Sequence, residues 1–366
     1  MASLLDATPV SLRMCCLGSR TQRSAEAVQQ LEDLLISPSL DWEEVLRFAR
    51  HHSVMPLLYR TLRTVSDHVP ANVLAALEED YHANAHFAML LIEEAGRLFD
   101  AFAEAGVGAM PFKGVVLAQW AYGNVTYRTA GDLDILVAPG EFGAAEAVIR
   151  SIGYEPDADP TGWRKRWYVW SQHEFPYLKR HDGFKIDLHT ALSAKRFSQG
   201  VAAEELLERS TPIQVHRATL PCLSAADWLY VLTMHAAKHR WESLKWVCDV
   251  AEVFRAHANL PVDAILAHVE QRGAGRMLRL GVLLADGLLG APVPAPLLQA
   301  ARQDVRAQAL AAAVVQELST PTDPWDGEWR RFRFHLHVRD SMGEKLRYLS
   351  GSAAWYALRG VTGARH

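Results

Sequence analysis

Pro111-Phe-Lys-Gly-Val-Val-Leu-Ala-Gln-Trp-Ala-Tyr-Gly-Asn-Val-Thr-Tyr-Arg-Thr-Ala-Gly-Asp-Leu-Asp-Ile-Leu-Val137 is the stretch whose reading decides the rest of the chain. A Lys-Gly step opens a helix-like segment, Arg128 follows, and Asp132-Leu-Asp134 leads into the apolar run Ile135-Leu136-Val137. Side chains alternate along a strand, so Asp132 and Asp134 share one face while Leu133 turns away. Two carboxylates one strand repeat apart, at the mouth of a buried strand, suit a divalent cation that also holds phosphate oxygens. Lys113 and Gly114, at the start of a helix, offer a phosphate close backbone approach, free N–H groups and the positive end of a dipole. Arg128 supplies a further phosphate contact from the loop before the acidic pair.

Outward from this stretch, Gly106-Val-Gly108 breaks a helix, Ala109 to Phe112 reads as a short strand, and Val115 to Tyr122 as a helix stopped by Gly123-Asn124. Leu133 to Val137 is the central strand, and Pro139-Gly140 turns the chain into a helix from Glu141 to Ser151. His173 to Lys179 and Phe184 to His189 read as a hairpin joined by Arg180-His-Asp-Gly183. On its second strand Lys185, Asp187 and His189 share one face, with Ile186 and Leu188 on the other. A polar face on a buried strand means solvent or a site, and Asp187 is the natural third carboxylate, bridging a second metal or acting as base. His189 is a candidate contact to the acceptor or to the neighbourhood of Asp187. Thr161-Gly-Trp-Arg-Lys-Arg-Trp-Tyr-Val-Trp170 interleaves aromatic and basic residues. Such interleaving can stack bases, but one short stretch on a mildly acidic chain favours a lid or inter-domain packing.

The flanks are helical. Ala25 to Ile36, Trp42 to His51 (capped by Asp41), Met55 to Val65 and Asn72 to Ala105 carry apolar residues at helical spacing. Beyond Ser224, helices are predicted over Trp228 to Ala237, Glu242 to Ala256, Pro261 to Gly273, Leu278 to Leu289, Ala300 to Leu318 and Glu328 to Leu349. His235 and His239 share a helical face, which would suit zinc only with a third ligand. A face turned to nucleotide phosphates, with Lys238 or His239 in contact and Lys245 further along, accounts for the cluster better. The predicted architecture is α+β: an N-terminal helical region (1–105), a small mixed β-sheet core (106–215) and a C-terminal helical domain (216–366).

Composition narrows the classes. With 366 residues, 49% hydrophobic and 22% charged, the chain has ample length for a core, and its formal net charge of −4 argues against a long nucleic-acid partner. Cys15, Cys16, Cys222 and Cys248 show no C-x-x-C spacing, which fits a reducing compartment. The N-terminus lacks the basic start and apolar core of a signal peptide, and no run approaches the roughly 20 apolar residues of a membrane span. A cytoplasmic protein without a membrane role is expected.

These residues resemble the polymerase-β-like nucleotidyltransferase superfamily, in which a glycine-led helix, D-x-D on a strand and a lone Asp on a later strand recur. The resemblance is stronger to an uncharacterised bacterial branch with K-G-x-x-L…Y…R-x-x-x-D-[IL]-D-[IL]-L-V, a V-D-L-H-like strand and a helical H-x-x-K-H-x-W segment. Here those are Lys113-Gly114 to Leu117 and Tyr122, Arg128 to Val137, Ile186-Asp-Leu-His189 and His235-Ala-Ala-Lys-His-Arg-Trp241. The Asp41-Trp42 helix and His52-Ser-Val-Met-Pro-Leu57 extend the similarity to about residues 30–270. The chain has Lys-Gly where the superfamily has Gly-Ser, with a longer gap to the acidic pair, as is typical of the branch. The resemblance implies Mg²⁺ (or Mn²⁺) held by Asp132, Asp134 and Asp187, and a nucleoside triphosphate such as ATP near Lys113, Gly114, Arg128, Lys238 and His239. A nucleoside monophosphate would pass to a hydroxyl of a small molecule, peptide or protein, with His189, His235 and Lys245 near the acceptor or behind the ligands. The alternatives are a catalytically silent nucleotide- or partner-binding module and a toxin-type enzyme modifying RNA ends, which the modest charge disfavours.

Overall fold

The computed structural model describes residues 4–129, 131–158, 172–180, 183–194, 197, 200–257, 259–320 and 327–362. The aromatic and basic segment Thr161–Trp170 lies outside them.

Five helices lead the chain: α1 (Val10–Gly18), α2 (Ala25–Leu35), α3 (Trp42–His51), α4 (Met55–Leu62) and α5 (Ala71–Glu104). Asp41 starts α3 by accepting the backbone N–H groups of Glu43 and Glu44, and Ser24 caps α2 in the same manner. Helix α1 has no counterpart in the sequence reading. Almost all of it is buried, so it carries no polar face to reveal a helical period. The helix expected to reach Val65 stops at Leu62, because Val65 leaves helical geometry (φ −128°) inside a 3₁₀ continuation.

The sheet follows as β1 (Ala109–Pro111), α6 (Gly114–Tyr122), β2 (Leu133–Val137), α7 (Phe142–Ser151), β3 (Glu155–Pro156), β4 (Glu174–Lys179) and β5 (Phe184–His189). The strand order is β1-β2-β5-β4-β3, with β2 and β5 parallel and the other pairs antiparallel. The fold is therefore α+β with a small mixed sheet. Leu133, Ile135, Ile186 and Leu188 are fully buried and hold the β2–β5 centre against the helices. Helix α5 is pinned across the sheet by one buried carboxylate. Glu94 accepts from Tyr154 Oη at 2.8 Å and Lys179 Nζ at 3.0 Å, and pairs with Arg97.

Helix α8 (Ala203–Arg209) and the hairpin β6 (Thr211–Val215) and β7 (Ala218–Cys222) come next. Prolines hid the hairpin from sequence reasoning, since proline within a run argues against a strand. Pro212 and Pro221 face each other as partners, and a two-strand ribbon is all edge, so the missing N–H groups cost no inner ladder. The C-terminal helices are α9 (Ala225–Lys238), α10 (Leu244–Ala256), α11 (Val262–Gln271), α12 (Gly275–Leu289), α13 (Ala295–Gln303), α14 (Val305–Ser319), α15 (Gly327–His337) and α16 (Met342–Thr362). Asp304 divides the helix expected over Ala300–Leu318 because its carboxylate caps a new one, accepting from Arg306 and Ala307. The helix expected over Glu328–Leu349 is likewise two. One apolar core runs from Leu5 to Val338 through all three stretches of the chain. No helix among the described residues is long and apolar enough to cross a membrane.

Candidate active site

The parallel pairing of β2 and β5 sets the geometry. Leu133 stands opposite Ile186, Asp134 opposite Asp187, and Leu136 opposite His189. Because alternate residues share a face, Asp134 and Asp187 emerge side by side. Two residues earlier on both strands, and so on the same face, Asp132 lies beside Lys185.

Cations occupy this acidic face. Lys113 Nζ is 2.8 Å from Asp134 Oδ1, which also accepts from His189 Nε2 at 3.1 Å. An ionised carboxylate only accepts, so Nε2 carries the imidazole proton. Lys185 Nζ donates to Asp187 Oδ2 at 2.7 Å and reaches within 3.9 Å of Asp132 Oδ2. Lys113 gets there through the turn into α6. Gly114 has φ +63° in the left-handed region, and a Cβ on it would come within 3.4 Å of the Asp132 carbonyl oxygen. No side chain caps α6.

The carboxylates differ in character. Burial alone would raise the Asp134 pKa, but Lys113 and His189 more than offset it and hold the group well below the usual carboxylate range. Asp132 is raised, by burial and then by the negative charges of Asp134 and Asp187, with Lys113 and Lys185 opposing. Asp187 is almost fully enclosed, and its Oδ1 has no hydrogen-bond partner among the described residues.

A second wall comes from the end of α9 and the start of α10. Between these helices Arg240 and Trp241 both adopt left-handed backbone (φ 56° and 60°), with Trp241 fully buried as the anchor of the corner. The imidazoles of His235 and His239 lie 4.7 Å apart and pack on Trp246 at 5.7 and 5.4 Å between ring centroids. Burial and the neighbouring lysines push His239 down to about 3 and His235 well below its ordinary value, so both rings are neutral. Lys238 lies 3.6 Å from Glu174, the residue facing His189 across β4 and β5. Burial lowers the Lys238 pKa, and burial with help from Arg128 brings Lys245 down to about 8.

The α10 start is fixed by His52. Its carbonyl accepts from Lys245 N at 3.2 Å and Ser243 Oγ at 2.9 Å, and its ring Nδ1 accepts from Leu244 N at 3.4 Å. Nε2 donates to the Leu318 carbonyl at 3.0 Å. The His52-Ser-Val-Met-Pro segment thus aims Lys245 and Trp246.

Arg128 stands apart from the phosphate contact expected of it. Its guanidinium grips Asp249 with two bonds, 2.8 and 3.0 Å, and Tyr122 Oη donates to the same carboxylate at 2.8 Å. The group is buried and ties the loop before β2 to α10. Asp132, Asp134, Asp187, Lys113, Gly114 and His189 are brought together around β2 and β5, while His235, Lys238, His239 and Lys245 line the α9–α10 corner. Sequence reasoning assigned no role to Lys185, Glu174 or Trp246. Lys185 was legible from its strand face; Glu174 follows only from the β4–β5 register.

Among the described residues, no three His, Cys, Asp or Glu side chains are positioned as they stand to hold a metal ion. The donors nevertheless fit a hard divalent cation. They are carboxylate oxygens from adjacent strand positions, one buried and without a partner, and lysine ammonium groups occupy the face now.

Residues 38–290 match the model of a family described as an uncharacterised nucleotidyltransferase. No curated protein and no solved structure matches the chain.

Proposed function

From the premise that the chain belongs to this nucleotidyltransferase family, we propose that it moves a nucleoside monophosphate from a nucleoside triphosphate to a hydroxyl of a small molecule, peptide or protein, with Mg²⁺ or Mn²⁺. We further read the core as polymerase-β-like. Support comes from the Lys113-Gly114 turn into α6, the acidic pair at β2 and the third carboxylate on β5. The observation that carries the reading is the register pairing of Asp134 with Asp187.

In this reading Asp132, Asp134 and Asp187 hold the metal. Once bound, a divalent cation supplies positive charge against the negative charge that builds on the transferred phosphate. Lys113 and the uncapped first turn of α6 face the phosphates. Lys238, Lys245 and His239 line the opposite wall, and the neutral His235–His239–Trp246 group offers aromatic faces to a base. The acceptor oxygen bonds to the α-phosphorus, the α–β anhydride bond breaks, and pyrophosphate leaves. Asp132, half-exposed and with its pKa raised, takes the hydroxyl proton. The free, buried cysteines support a reducing, cytoplasmic setting.

The test is incubation with each α-labelled triphosphate, Mg²⁺ and fractionated cell extract. Transfer of label by the wild type and not by Asp134→Ala supports the proposal; no transfer from any triphosphate into any fraction overturns it.

A further inference from the structure

Helices α15 and α16 lie beyond residues 38–290, which match the family, yet they are fastened to the end of α9, where the candidate site has its second wall. His335 makes the joint. Burial, and then the charge of Arg339, push this imidazole down to about 3, so it is neutral. Its Nε2 donates to the Lys238 carbonyl at 3.0 Å, and its Nδ1 accepts from Tyr348 Oη on α16 at 3.0 Å. Arg339 fixes the turn between the two helices. Its buried guanidinium lies 4.0 Å from the centre of the Tyr348 ring and 4.9 Å from that of Phe197, and it donates to the Phe197 carbonyl at 2.7 Å.

Residues four apart share a helix face, so the joint at His335 turns Arg331 toward the same end of α9, beside His239. Its charge acts there: after burial, Lys238 and Lys113, Arg331 helps to keep the His239 ring neutral. Arg331 is exposed and pairs with no carboxylate among the described residues. Lys113 and Lys238, by contrast, are each held by one, Asp134 and Glu174. Arg333, two positions on, falls on the other side of α15, where its charge acts on His337.

We propose that Arg331 is a further phosphate-binding residue, so that a helix outside the family-matched residues completes the triphosphate site. This rests on the nucleotidyl-transfer reading above. The α9–α10 wall already carries Lys238 and Lys245, and Arg331 extends it with a planar fork of N–H donors that fits phosphate oxygens. With no carboxylate to leave, Arg331 takes a phosphate without breaking an ion pair. His335 and Arg339 hold α15 in place and touch no substrate.

The experiment is calorimetric titration of the full-length protein with non-cleavable analogues of the four triphosphates. Arg331→Met should weaken binding by about tenfold or more, the worth of one charge-assisted contact, with an unchanged melting temperature because the side chain is exposed. Arg333→Met removes the same charge from the other side of α15 and should bind as the wild type does. Wild-type affinity in Arg331→Met overturns the inference, as does an equal loss in Arg333→Met, which would make the effect one of overall charge. A wild type that binds none of the four analogues overturns the nucleotidyl-transfer reading and this inference with it, whereas the two preceding outcomes leave that reading standing.

Discussion

Asp134 and Asp187 are partners across a parallel strand pair, yet each is neutralised by a different lysine: Lys113 on Asp134 and Lys185 on Asp187. Like charges side by side in a buried setting repel, and the two ammonium groups are what allow the pair to coexist without metal. They come from separate elements, the turn into α6 and strand β5. The acidic face and its counter-charges are therefore assembled only when the sheet forms.

Asp134→Asn is expected to lower transfer by about 10²–10³-fold, the order seen when one charge-stabilising group is removed from an active site. Its shape is kept, but Lys113 loses a charged partner where its side chain is only 11% exposed, so the melting temperature should fall as well, and rates are compared at a temperature where both proteins are folded. Initial rates and thermal unfolding on one preparation check this. Wild-type rates in Asp134→Asn would remove Asp134 from the chemistry.

Arg128→Ala is expected to be a stability defect first. It strands Asp249, which is fully buried and held by Arg128 and Tyr122, and breaking a buried ion pair from one side costs about 3–5 kcal/mol. Arg128→Met with Asp249→Leu should recover most of that loss, since the stranded charge goes too. Denaturant unfolding of the single and double variants decides it. A fully stable Arg128→Ala that no longer binds triphosphate would return Arg128 to the phosphate site.

Much of this was readable before any coordinates. Alternation placed Asp132 and Asp134 on one face, and the Lys185–Asp187–His189 face followed from the same rule. What the sequence could not say is which strands are neighbours. Pairing β2 with β5 is a long-range choice, and it alone makes Asp187 the partner of Asp134 and Lys185 the neighbour of Asp132. The partner of Arg128 was out of reach for a related reason. A lone arginine before an acidic pair looks available for phosphate, and only tertiary packing brings Asp249, 121 positions later, against it. The break between α9 and α10 was legible, with helices expected over Trp228–Ala237 and Glu242–Ala256; the left-handed backbone of Arg240 and Trp241 that shapes it was not, because their residue types do not advertise it.

Acid should unfold the protein through its buried imidazoles. Burial, followed by the neighbouring His51, lowers the His52 pKa from 6.5 to about 4. Between those values the unfolded chain binds a proton that the folded one refuses, so stability falls as pH drops from 6.5 toward 4 and levels off below. That difference corresponds to about 3 kcal/mol for this group. His52→Asn should flatten the slope of unfolding free energy against pH in this window while lowering stability at pH 7. An unchanged slope would show that His52 does not report acid.

Lys245 has the same sign as His52 in the free protein, at alkaline pH, and the opposite sign in ligand binding. Its pKa is brought from 10.5 down to about 8, chiefly by burial. For the free protein the sign is that stability from this group rises between pH 8 and 10.5, where the unfolded chain alone holds the proton. For a protein that binds triphosphate beside Lys245 the sign reverses, because the phosphates favour the ammonium form. As pH rises above 8, more of the free protein must take up a proton to bind, and affinity should fall by up to about tenfold per pH unit. Lys245→Arg stays charged throughout and should bind with little change between pH 7 and 9.5. Titrations of a non-cleavable triphosphate across that range separate the two proteins. Parallel pH profiles for wild type and Lys245→Arg would place Lys245 away from the phosphates.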